Sequence, residues 1–119
     1  TSAGRVLICE WDEVSIRSKW TNEELMNAGG VRKFKSTDEF VSELAKIKQQ
    51  GYCIVDEEFE MGVVGCSAPV RDASGRIVAA INIGAPKVRL QAQLDQAARL
   101  TRKISHELSQ TLYLPANLK

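Results

Sequence analysis

The stretch GCSAPVRDASGRIVAAINIGAP, residues 65–86, constrains the fold more than any other part of the chain. Two apolar runs, 63–70 and 76–84, flank residues 71–75, where Asp72 and Gly75 supply turn chemistry. That pattern is an antiparallel hairpin, and the rest of the chain has to cover it. Side chains alternate faces along a strand, so Ile77, Ala79, Ile81 and Ile83 share one face and Val78, Ala80, Asn82 and Gly84 the other. The first face fills space. The second grows emptier toward Gly84 and carries one amide. Such a face suits a helix packed closely over small residues, with Asn82 bonded to backbone. It equally suits the floor of a ligand cavity in which Asn82 fixes orientation. The facing strand stays open by one residue. If Asp72 opposes Arg76, Cys66 lies across from Asn82; if Ala73 opposes Arg76, Ser67 lies across from Asn82 and Gly65 from Gly84.

The flanking segments read mostly as helices. Thr1 and Ser2 cap a helix carrying Val6, Leu7 and Ile8, and Asp12 or Ser15 starts a second through Trp20. Thr21 to Leu25 is another capped turn, and Gly29-Gly30 closes the region. Ser36 and Glu39 form a capping box for a helix with Phe40, Val41, Leu44, Ala45 and Ile47, which ends at Gly51. Residues 52–56 form a short strand. Pro86 opens one long final helix whose apolar stripe is Leu90, Leu94, Ala97/Ala98, Thr101, Ile104, Leu108 and Leu112, and Pro115 ends it. The order gives an α+β fold with antiparallel strands.

Composition narrows the function. A 119-residue chain with 44% hydrophobic and 26% charged residues is one globular domain. Sixteen basic against 15 acidic residues leave a net charge of +1, which speaks against an extended nucleic-acid clamp. Cys9, Cys53 and Cys66 lie far apart, which favours a reducing, cytoplasmic setting. No apolar run reaches the roughly 18 residues of a membrane span. The chain opens in mid-pattern without Met, so a piece of a longer protein is expected.

Chemistry is thinly represented. Ser105-His106-Glu107 lies on a helix, where adjacent side chains point about 100° apart and form no triad. A Cys66–His106 pair would need to meet in space. Asp56, Glu57, Glu58 and Glu60 lack the spacing of a calcium loop, and are expected to be solvated or paired with Arg or Lys. Gly62-Val63-Val64-Gly65 has neither the Lys-Ser/Thr nor the following helix of a phosphate loop. No metal and no cofactor is expected. The small residues Thr1 to Gly4 open a helix whose free N–H groups and dipole favour a carboxylate.

Together these pieces resemble the carboxy-terminal effector-binding domain of the IclR family of bacterial transcription regulators. The carriers are Thr1-Ser2-Ala3-Gly4-Arg5-Val6-Leu7, Leu44 to Ile47 with Gly51-Tyr52, and Asp56-Glu57-Glu58 with Glu60 and Gly62. They continue through Ala68-Pro69-Val70-Arg71-Asp72 with Gly75, Val78-Ala79-Ala80-Ile81-Asn82-Ile83, and the closing ARLTRKISHELS. The resemblance implies a GAF-like antiparallel sheet flanked by helices, with a pocket for a small organic acid, often an aromatic one. It also implies homodimers or homotetramers, and DNA binding through a separate winged helix-turn-helix absent from this chain. The first strands of the effector domain are also expected to be missing, leaving an open sheet edge. Carried onto this sequence, the implied pocket falls on Ser2, Ala3, Gly4, Val55, Gly65, Cys66, Asn82 and Gly84. The expected function is ligand sensing without catalysis. The alternatives are a small enzyme using Cys66 with His106, which the two side chains in contact would support, and a dimerisation domain without a ligand, which a filled small-residue face would support.

Overall fold

A computed structural model describes residues 1–30 and 34–112. Its elements run α1 (Ser2–Ile8), α2 (Glu13–Lys19), α3 (Asn22–Asn27), α4 (Thr37–Gln50), β1 (Cys53–Asp56), β2 (Val63–Arg71), β3 (Ile77–Pro86), α5 (Lys87–Leu90) and α6 (Leu94–Leu112). The expected α+β architecture is what forms: an antiparallel sheet in the order β1-β2-β3, flanked by helices on both faces.

The caps are local chemistry. Thr1, Asp12, Thr21 and Ser36 each accept a backbone N–H three residues on, satisfying donors that the first helical turn leaves unpaired. Glu39 reaches back to the N–H of Lys35 rather than to that of Ser36, so the capping box closes one residue early. Gly51 ends α4 at φ 81°, a conformation that glycine adopts without strain.

The hairpin holds both registers at once. At its tip Asp72 N–H donates to the Arg76 carbonyl, the first of the two expected pairings. A bulge then skips Val78: Arg71 opposes Ile77, but Val70 opposes Ala79. Beyond it Ser67 opposes Asn82 and Gly65 opposes Gly84, the second pairing. The bulge also moves Ile77 to the side of Ala80, where both pack on the main core. Ile77 therefore does not share a face with Ile81 and Ile83, as strict alternation requires.

On one side of the sheet α1, α2 and α4 close a core of Val6, Ile16, Phe34, Phe40, Leu44, Ile47, Cys53 and Val55. On the other, α6 lies over Cys66, with Ala68 and Val70 buried on that same face of β2. The long final helix is broken: Pro86 ends β3, and a 3-10 turn at residues 91–93 separates α5 from α6. The expected stripe on α6 holds at Ala97, Ala98 and Thr101 and shifts to serines after them. Its buried positions are Ala97, Ala98, Thr101, Ser105 and Ser109, while Leu100, Ile104 and Leu108 remain 40–49% exposed. Small side chains let the helix approach the sheet closely. The three hydroxyls donate to the carbonyls of Ala97, Arg102 and Ser105, so their burial leaves no donor unpaired. The expected stop at Pro115 lies outside the described residues.

Candidate functional site

The register brings Ser67 of β2 and Asn82 of β3 onto the face that α1 covers, and the first turn of α1 sets Ser2 against them. Ser2 Oγ lies 2.8 Å from Ser67 Oγ and 2.9 Å from Asn82 Oδ1, and Ser67 Oγ lies 2.8 Å from that same Oδ1. Ser67 is fully buried and Ser2 nearly so, whereas Asn82 is exposed. Three side chains from three elements thus converge at the sheet surface. The amide nitrogen of Asn82 donates to no group among the described residues.

Two glycines keep this spot open. A Cβ on Gly65 would sit 3.3 Å from the Ile83 carbonyl, 3.5 Å from Ser2 Oγ and 3.7 Å from Asn82 Oδ1. A Cβ on Gly84 would sit 3.7 Å from Asn82 Nδ2. Side chains at either place would fill the space into which that amide donates. Ser2, Gly65, Asn82 and Gly84, all expected site residues, therefore gather here, and Val55 lies beside Gly65 across the β1–β2 ladder. Ala3 is half-buried on α1, next to Ser2.

Cys66, also an expected site residue, does not join this cluster. It points to the opposite face, where its sulfur meets Thr101 Oγ1 of α6 at 3.4 Å. Ser67, the alternative left open by the sequence, is the residue that faces Asn82. The signal for it was the unbroken apolar run Ile77–Ile81, too uniform for strict alternation and long enough to hold a bulge. His106 stands on the exposed flank of α6 against Gln110, so the Cys66–His106 contact that an enzyme reading requires is not made. Burial under the same face as Ser67 pushes the Cys53 thiol up to about 11, which disfavours its thiolate at neutral pH.

Gly4 and Val55 border a different space, a cavity of about 410 Å³ between α1, the α2–α4 region and the end of β1. Its walls include Trp20, Leu25, Phe34, Phe40 and Phe59, with Arg5 and Glu58 as its charged groups. Arg5 is buried. It bonds Glu58 Oε1 at 3.2 Å, lies 4.0 Å from Glu43 and stacks 4.8 Å over the Phe34 ring. Nothing local in the sequence marks this cavity, because its aromatic walls come from separate segments. The acidic run is neutralised much as expected: Lys87 holds Asp56 at 2.9 Å and Glu57 at 3.4 Å, and Arg5 holds Glu58. Among the described residues no group of His, Cys, Asp or Glu is gathered to bind a metal, and no helix is long and apolar enough to cross a membrane.

A helix N-terminus over a small-residue sheet face, with a convergent polar cluster on that face, is an arrangement suited to holding a small molecule. The comparisons give the class. Residues 1–110 match the family model described as bacterial transcriptional regulator IclR C-terminal. The Pca regulon regulatory protein of Pseudomonas putida is 31% identical over 97 residues, which cover 81% of this chain and 33% of that protein. The repressor BlcR of Agrobacterium tumefaciens superposes with a TM-score of 0.83 at 22% identity, over 96% of this chain and 46% of that one. The inducer-binding domain of PobR from Acinetobacter, a double mutant in complex with 3-hydroxybenzoic acid, superposes with a TM-score of 0.79 at 30% identity, over 92% of this chain and 65% of that one. The chain belongs to the IclR family of bacterial transcription regulators, in its C-terminal domain. It spans about a third of the length of the curated relatives it matches.

Proposed function

We propose that this chain is the effector-sensing part of a transcription regulator, and that the effector is a small organic acid, with aromatic acids the first class to test. The observation that carries the reading is the unpaired Asn82 amide, held over Gly65 and Gly84 by two buried serine hydroxyls. Family membership supports the regulatory role, and the benzoate derivative bound by the PobR domain supports the ligand class. The carboxylate is expected at the start of α1. Gly4 N–H is already taken by Thr1 Oγ1 at 3.1 Å, which leaves recognition to Ser2 and Ala3. The domain would do no chemistry of its own. Ligand binding would bias the geometry of a homodimer or homotetramer, and so the spacing of DNA-binding segments that lie outside these 119 residues. Such a regulator works in the cytoplasm, where its operator is.

Calorimetric titration of this chain with 3-hydroxybenzoate and with its methyl ester tests the reading. The acid is expected to bind at least about tenfold more tightly than the ester, because one charge-assisted hydrogen bond is worth about 1.5–3 kcal/mol. Equal binding of the two would remove the carboxylate from the account.

A further inference from the structure

On α6, Arg99, Arg102, Lys103 and His106 stand at i, i+3, i+4 and i+7, the spacing of a single helix face. They wall a groove of about 470 Å³ beside the end of β2 that β1 leaves unpaired. Gly51, Pro69, Arg71, Ser105 and Ser109 complete its lining. Arg71 is already held by Glu10 at 2.7 and 3.0 Å and by the Gly75 carbonyl. Ser105 and Ser109 direct their protons to helix carbonyls. Arg99, Arg102 and Lys103 pair with no carboxylate among the described residues; Arg102 rests 5.7 Å over the Tyr52 ring. Same-sign neighbours at these spacings weaken a helix. No carboxylate among the described residues lines the groove to offset them.

We propose that this groove binds a small, multiply charged phosphate anion through Arg99, Arg102 and Lys103. Arginine forks pair with phosphate oxygens two bonds at a time, and several charges on one ligand offset the groove's exposure to water. The volume is that of a small-ligand site. A nucleic-acid duplex fits less well, because it needs a basic track across the surface and the near-neutral chain offers one short face. The groove shares no lining residue with the proposed effector site.

Inorganic pyrophosphate is the probe, titrated into this chain at about 0.15 M salt, where exposed charges are well screened, and followed by backbone amide shifts. Saturable shifts are expected at Gly51, Arg99, Arg102 and Lys103, with a Kd below about 1 mM and a melting temperature that rises with the anion. The Arg99→Gln/Arg102→Gln double variant is expected to bind at least about tenfold more weakly, and to melt no lower than the parent when no anion is present. Arg17→Gln, on α2, is expected to bind as the parent does. The proposal is overturned by the absence of saturable shifts below about 10 mM, by undiminished binding in the double variant, or by a short DNA duplex that competes more tightly for the same residues.

Discussion

Ser2 and Ser67 hold two hydroxyl protons between them, and three short oxygen–oxygen distances compete for these two protons. Asn82 Oδ1 brings acceptor capacity and no proton, so both serines stay satisfied when one donates to the other and the second donates to the amide. Without the Asn82 amide Ser2 and Ser67 can still pair, but the second buried hydroxyl proton loses its acceptor. Asn82→Leu is expected to lower stability by about 1–3 kcal/mol while effector affinity falls about tenfold. Urea melts and titrations on the same variant separate the two effects; a large stability loss with unchanged affinity would make Asn82 a structural residue. Gly84→Leu tests the open volume instead. Its backbone needs no left-handed conformation, and only Asn82 Nδ2 lies near the new Cβ. Folding is expected to change by under about 1 kcal/mol, with binding blocked. Retained binding would place the effector elsewhere.

Elements are held together by two kinds of contact that sequence patterns reveal unequally. Helix α6 meets β2 through Ala97, Ala98, Thr101, Ser105 and Ser109, a close approach with little volume to lose and none to add. Ala98→Leu is expected to cost about 1–3 kcal/mol through overpacking, measured by denaturant midpoint; a neutral result would show a looser interface. The second contact is Arg71 with Glu10, which ties the chain just after α1 to the hairpin near its tip. Hydrogen bonds from Arg71 hold the Glu10 carboxyl below its ordinary value of 4.5. A lowered folded value stabilises the fold above about pH 4.5, and that contribution is lost as pH falls through the folded value. Glu10→Gln is thus expected to be less stable than the parent at neutral pH, by a gap that narrows between about pH 5 and pH 3. A gap unchanged at the lower pH would contradict the pairing. The caps, α4, the strands and the turn were legible because each depends on residues within four positions. The α6 stripe beyond Thr101 was not, since hydropathy ranks Ile104 and Leu108 above the serines that the sheet selects. The choice between Cys66 and Ser67 was not either, because a bulge of one residue reverses it. The Trp20, Phe34 and Phe40 cavity depends on tertiary assembly alone.

At the scale of the whole molecule, β3 is an edge strand carrying an exposed Val78, and α6 shows Leu100, Ile104 and Leu108 to solvent. Exposed strand edges and apolar helix faces favour association. Sedimentation of this chain at tens of micromolar is expected to show a symmetric dimer; a monomer at that concentration would contradict it for these 119 residues. The central claim is that the face bearing Ser67, Asn82, Gly65 and Gly84 is where the effector lies. Its most direct test is an amide-shift titration of this chain with 3-hydroxybenzoate that follows the Asn82 side-chain NH₂ and the backbone N–H groups of Gly65 and Gly84. The account predicts saturable shifts at these three residues, lost in Asn82→Leu. Shifts confined to Trp20, Phe34 and Phe40, around the other cavity, would contradict it.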